Sequence, residues 1–142
     1  MLSIYPACFF KEKRGYSVIF PDLNYLATNG KDLDEAMEMA VDCLAGYLWW
    51  CDFDGEKPPA PSSRENIKAA DIAKELELKT TDDGFVNLIS VDVQVYAKEH
   101  FDKSIRKSIT IPSWLNDTAE AMGINFSQTL KEGLVNKIRA AR

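Results

Sequence analysis

The chain has 142 residues, 46% of them apolar and 27% charged, which is the composition of a soluble globular protein of one ordinary or two small domains. No apolar run approaches the roughly 18–20 residues of a bilayer span, and the N-terminus lacks the basic region and cleavage site of a secretory signal. Three cysteines (Cys8, Cys43, Cys51), odd in number and outside any metal-ligand spacing, point to buried thiols in a reducing cytoplasm.

In chain order, Ile4, Tyr5, Cys8, Phe9 and Phe10 predict a first strand, followed by a turn through Lys11–Gly15. Tyr16, Val18 and Phe20 alternate into a second strand that pairs with the first as a hairpin. Asp22-Leu23-Asn24 is a turn, and Tyr25–Thr28 a short third strand ending near Asn29-Gly30. Asp32 is placed to cap the best helix of the chain, with Glu35 in capping-box position. Leu33, Ala36, Met37, Ala40, Leu44, Tyr47, Leu48 and Cys51 share one side of it, so it lies on one face of a sheet. Trp49 projects with the acidic side, either covered by the following loop or awaiting a partner.

Asp52–Ser63, with Gly55, Pro58, Pro59 and Pro61, reads as an irregular connector, and residues 64–78 carry only a weak helical pattern. After the turn Asp82-Asp83-Gly84, the alternation of Phe85, Ile89, Val91, Val93 and Val95 predicts one long strand. Residues 96–104 lead onward and have room for a helical turn.

The segment Ile105–Pro112 is the most telling. Ile105, Lys107, Ile109 and Ile111 share one parity, and Arg106, Ser108 and Thr110 the other, so a strand here is apolar on one face and polar on the opposite one. Ser113 is placed to cap a helix through Trp114, Leu115, Thr118, Ala119 and Met122, which Gly123 stops. Asn125 caps a second helix, with Gln128 in capping-box position and Phe126, Leu130, Leu134 and Ile138 as an apolar stripe. One strand and two helices of this size close a core when two copies interlock. The other reading is an ordinary C-terminal strand and helical hairpin that completes the upstream domain.

Charge divides the chain. Residues 101–142 hold seven Lys/Arg against four Asp/Glu, a net +3, while the rest holds ten against eighteen, a net −8. The basic end suits phosphate, and the acidic front suits a basic protein.

Residues 105–139 resemble a ribbon-helix-helix DNA-binding domain. The resemblance implies a homodimer built on Ile109, Ile111, Leu115, Leu130 and Leu134. It also implies operator double-stranded DNA met by Arg106, Lys107, Ser108 and Thr110, with the amides around Asn125, Phe126 and Ser127 on phosphate. The front part is similar to the HicB antitoxin family through four stretches: Tyr5-Pro6-Ala7, Gly15-Tyr16 with Phe20-Pro21-Asp22-Leu23, Asn29-Gly30, and Leu33-Asp34-Glu35-Ala36. Val93–Tyr96 followed by Lys107–Pro112 matches that family's junction. Where the family has a Pro-Gly-Cys-like turn, this chain has Asn24-Tyr25-Leu26.

That resemblance implies an α+β fold, a β-β-β-α-β partial RNase H-like domain over residues 1–96, a linker over 97–104 and the ribbon-helix-helix domain over 105–142. It implies a HicA-type ribonuclease toxin as partner and repression of the chain's own operon. The candidate toxin contacts are Asp22 and Tyr25 at the hairpin exit, and Trp49, Asp52 and Asp54 at the end of the long helix. The alternative function is a transcriptional regulator whose front domain senses a small molecule. Catalysis, a cofactor and a metal are not expected: Asp52-x-Asp54 is only a pair of carboxylates, and His100 has no evident nucleophile beside it.

Overall fold

Residues 3–12 are apolar at both parities, as befits a strand covered on both faces. In a computed structural model that describes residues 1–102 and 105–141, they form β1 (Ser3–Glu12), an inner strand of an antiparallel sheet. Lys13 and Arg14 turn the chain into β2 (Gly15–Phe20), with Glu12 opposite Gly15. A 3-10 turn, Pro21–Leu23, and two successive left-handed residues, Asn24 and Tyr25 (φ +56° and +57°), lead to β3 (Leu26–Gly30). The sheet order is β3-β2-β1-β4, where β4 is Phe85–Val91.

The long helix α1 spans Leu33–Asp54, three residues further than its apolar stripe predicts. Asp32 Oδ1 accepts from Glu35 N at 2.8 Å, while the Glu35 carboxylate reaches back to Lys31 N, one residue before the cap. Gly30 lets α1 approach β3, since a Cβ there would lie 2.3 Å from Ala36 N. Ala36, Ala40, Leu44, Ala45 and Leu48 then meet Ala7, Phe9, Val18, Phe20 and Ile89 in the main core. Leu33, expected on the buried side, is exposed at the helix start.

The other sheet face is also covered. The 64–78 stretch, only weakly helical by pattern, folds as α2 (Ala69–Glu75) with flanking Ile67, Leu76 and Leu78, over Cys8, Phe10 and Ile19. Cys8 and Cys51 are buried and Cys43 half-buried; burial pushes the Cys8 thiol up to about 11.

The long strand expected through Val95 stops at Val91. Asp92 Oδ1 accepts from Val95 N at 3.2 Å and starts α3 (Val93–His100), a helical cap outcompeting continued alternation. Residues 97–100, expected in a linker, are therefore the second half of α3. Val93 and Tyr96 pack against the main core, and Val95 points to solvent.

Residues 105–141 form a second compact unit. Residues 105–112 form neither helix nor strand within the chain. Helix α4 (Ser113–Ala121) starts one residue after Pro112, whose carbonyl takes Leu115 N and Asn116 N; Ser113 is inside the helix and does not cap it. Gly123 (φ +67°) closes α4, its N–H going to Glu120 O while Ile124 N reaches Ala119 O, the double bond of a Schellman end. Helix α5 (Phe126–Ala141) follows, with Asn125 Oδ1 accepting from Gln128 N at 3.1 Å. The Gln128 side chain does not complete a capping box; it donates to Glu132.

Candidate functional site

The second unit exposes what a folded domain normally hides. Among its described residues none is buried, and Ile109, Trp114, Met122, Leu130, Leu134 and Ile138 are each over two-fifths exposed. The period-4 stripe of α5 accounts for much of this: it runs along one helix side and meets nothing broad enough to cover it. An apolar groove of about 470 Å³ lies between the 105–112 segment and both helices. Lys107, Ile109, Ile111, Leu115 and Leu130 line it, together with Ala119, Ile124, Phe126, Ser127 and Thr129. Of the five residues expected at a dimer core, four are on this groove; Leu134 is further along α5.

The polar candidates lie otherwise. Arg106, Lys107, Ser108 and Thr110 are all exposed, and neither Arg106 nor Ser108 lines the groove. At the start of α5 the Gln128 and Thr129 amides are taken by Asn125, through its side chain and its carbonyl. The Phe126 and Ser127 amides have no intrahelical acceptor and aim along the positive end of the helix dipole. Phe126 thus has two possible duties, its amide at the helix tip and its ring on the groove. Ile124, which sequence reasoning passed over, also reaches the groove; the signal was its place just after the Gly123 stop, where an apolar residue folds back on the helix.

In the first unit the two groups of partner candidates differ in kind. Asp22 is committed internally: its carboxylate accepts from Ser62 N at 2.7 Å and Ser62 Oγ at 2.6 Å, tying the connector to the hairpin exit. Tyr25 is 40% exposed, and its hydroxyl donates to Glu75 Oε1 at 2.7 Å. That bond raises its pKa, so the phenol stays protonated.

Trp49, Asp52 and Asp54 share the last turns of α1, so the two carboxylates are on a helix and not in the expected connector. Trp49 is half-buried, its ring stacked on Phe53 (5.6 Å) and met edge-on by Phe101 (5.7 Å). Phe53 was legible as the i+4 neighbour of Trp49. Carboxylates at a helix C-terminus oppose the dipole, so Asp52 and Asp54 stand where helix stability alone would not put them.

Among the described residues no group of three or more Asp, Glu, His or Cys side chains could hold a metal ion. Asp92 is occupied as a cap, and His100 stacks on Tyr96 with Nδ1 3.1 Å from the Tyr96 carbonyl. No described helix is long and apolar enough to cross a membrane.

Residues 5–132 match the family model of the HicB-like antitoxins of bacterial toxin–antitoxin systems. Among solved structures the chain is similar to one from a toxin–antitoxin complex of Streptococcus pneumoniae, at 31% identity over 96% of this chain and 99% of that one, with a TM-score of 0.64. It also matches the Burkholderia pseudomallei antitoxin HicB at 18% identity over 98% of both chains, with a TM-score of 0.49. No curated protein matches it.

Proposed function

We propose a divided function for this chain, which belongs to the HicB-like antitoxins of bacterial toxin–antitoxin systems: its first unit neutralises a HicA-type mRNA-cleaving toxin, and its second binds operator DNA as a dimer and represses the operon. The observation that carries the second half is an apolar groove in a unit of under ~40 residues, none of whose described residues is buried, which is too small to be stable unaided.

In the ribbon-helix-helix arrangement two copies of residues 105–111 pair as antiparallel strands. Ile109 and Ile111 then turn inward onto Leu115, Leu130 and Leu134 of both copies, while Arg106, Ser108 and Thr110 turn outward into the major groove. Lys107 and the amides of Asn125, Phe126 and Ser127 hold phosphate. The net +3 of this end suits that task.

The first unit, whose order β-β-β-α-α-β-α we read as a partial RNase H-like fold and whose net charge is −8, faces a basic nuclease. Its contact surface is the end of α1, where Trp49 offers a ring and Asp52 and Asp54 offer charge, with Tyr25 and Asp22 at the hairpin exit as further contacts. In this reading the chain is a non-catalytic regulator of the cytoplasm.

The test is co-expression with the toxin encoded beside it. Co-purification, loss of RNA cleavage and a salt-sensitive shift of the operon's promoter DNA are the expected results. Unimpeded cleavage by the toxin in the presence of the chain would overturn the neutralising half, and an unshifted promoter the repressing half.

A further inference from the structure

Between β2 and β3 the chain changes direction through two successive left-handed residues, Asn24 (φ +56°) and Tyr25 (φ +57°). Glycine takes this conformation freely and asparagine tolerates it, but a tyrosine there is an outlier, because its Cβ crowds the backbone. A glycine at 25 would relieve that cost and would also remove the ring, which is 40% exposed. Leu23 anchors the segment in the main core, while Asn24 and Tyr25 are at the surface. What holds them comes from residues 56–78, the stretch between α1 and β4 whose pattern is weakest. Ser62 N and Ser62 Oγ donate to the Asp22 carboxylate at 2.7 and 2.6 Å, and Tyr25 Oη donates to Glu75 Oε1 of α2 at 2.7 Å. These braces are themselves fixed. Tyr5 Oη donates to Pro59 O at 2.6 Å, three residues before Ser62, and Arg64 Nε donates to Val86 O at 3.3 Å. The helix that carries Glu75 packs over Cys8 and Phe10. Two elements, forty and fifty residues further along the chain, thus converge on one turn.

We infer that Ser62 and Glu75 are positioning residues: they hold the Asn24-Tyr25 turn in its left-handed form, so that the Tyr25 ring meets the toxin from a preformed turn. The inference rests on the neutralising reading above and adds to it a job for the 56–78 stretch. Neither tie buries apolar surface; what the ties fix is where the ring points. Restricting the turn before contact removes the cost of ordering it from the binding step. Apparent affinity falls with the fraction of molecules whose turn is formed. Loosening the braces therefore slows association and leaves dissociation as it was, since the bound toxin holds the ring once it is seated. Tyr25 itself is a contact, and its loss speeds dissociation.

The experiment uses the full-length chain and the toxin encoded beside it. The pair Ser62→Ala/Glu75→Ala removes both side-chain ties and leaves the Ser62 amide on Asp22. Its association rate constant is expected to fall about fivefold, at an unchanged dissociation rate constant. In the free chain the backbone order parameters of Asn24 and Tyr25 should drop below those of β2 and β3. The pair Ser62→Thr/Glu75→Gln keeps a hydroxyl donor and an oxygen acceptor, and should restore both readouts. Tyr25→Ala should instead raise the dissociation rate constant. Parent-like association in the first pair, or a turn as rigid without its ties as with them, overturns the inference and leaves the neutralising reading standing. So does a slowed association that the second pair fails to restore. A parent chain that does not bind the toxin overturns both.

Discussion

The two units solve the problem of burying apolar side chains in opposite ways. The first has three layers, α1 and α2 on the two faces of a sheet, and Phe9, Phe10, Phe20, Leu23 and Leu44 are fully hidden. The second has two helices and an extended segment, and hides none of its described residues. Apolar content is not what separates them, for α5 alone carries Phe126, Leu130, Leu134 and Ile138. The number of layers is: a helix pair leaves one side of each apolar stripe facing outward. In the proposed reading, self-sufficiency belongs to the first unit and dependence on another copy to the second.

The largest expected effect tests that contrast directly. Phe9→Ala should cost the first unit about 3–5 kcal/mol, read as a fall in unfolding free energy that is the same at every protein concentration. Leu130→Ala, also a large-to-small change, should instead act on association. Its loss should shrink as protein concentration rises, because a folded state that exists only as a dimer is stabilised by mass action. Equal, concentration-independent losses for both variants would erase the distinction.

Ile109→Lys sharpens it. A charge placed in the groove should abolish the dimer and operator binding together, while melting of the first unit shifts by no more than about 0.5 kcal/mol, as for a surface change. A stable dimer in that variant would contradict the groove as the interface. Next in size, Arg106→Ala and Thr110→Ala should each weaken specific operator binding by roughly 1–3 kcal/mol where a base contact is lost, with the dimer intact by sedimentation. Unchanged operator affinity in both would reverse the assignment of the outward parity.

How much of this was legible depends on how local each signal is. Asp32, the α1 stripe and the Gly123 stop are local, and each fixed its element to within a few residues. The second sheet layer was present in β1, where Tyr5, Ala7 and Phe9 on one face and Cys8 and Phe10 on the other are all apolar. Reading the helix as covering one face only missed it, because the covering segment 64–78 is short and its pattern weak. The strand read through Val95 failed for the opposite reason: Val91, Val93 and Val95 keep the period of two, yet a single side chain, Asp92, captures Val95 N and begins a helix. At the candidate sites, Ile109 and Ile111, expected on one face of a strand, both line the groove although residues 105–112 form no strand within the chain. Nothing in the sequence told that Asp22 is held by Ser62, forty residues away, or that Phe101 returns to Trp49.

A smaller effect of mixed sign separates stability from binding at the end of α1. The variant Asp52→Asn should stabilise the first unit by about 0.3–1 kcal/mol, since a carboxylate opposes the helix dipole there. The same change should slow association with the toxin and flatten its salt dependence. Stabilisation without loss of toxin binding would move the contact surface elsewhere on the unit.

The finest test uses pH. The Tyr96 hydroxyl of α3 donates to Asp42 Oδ1 of α1 at 2.9 Å. Burial, then the Asp42 bond and charge and the nearby Glu38, push its pKa up from 10.0 to about 12. A phenol whose folded pKa lies above its unfolded value favours folding in its neutral form. Its contribution is complete below pH 10.0 and declines as pH rises towards about 12. Tyr96→Phe should remove one hydrogen bond, roughly 0.5–1.5 kcal/mol at neutral pH, and make the alkaline decline shallower, with Tyr5, also raised by burial, supplying part of what remains. Because α3 packs on α1 within the first unit, both changes should be independent of protein concentration. Parallel denaturation curves for parent and variant across that range would mean that α3 is held to α1 by apolar packing alone, through Val93 and Phe101.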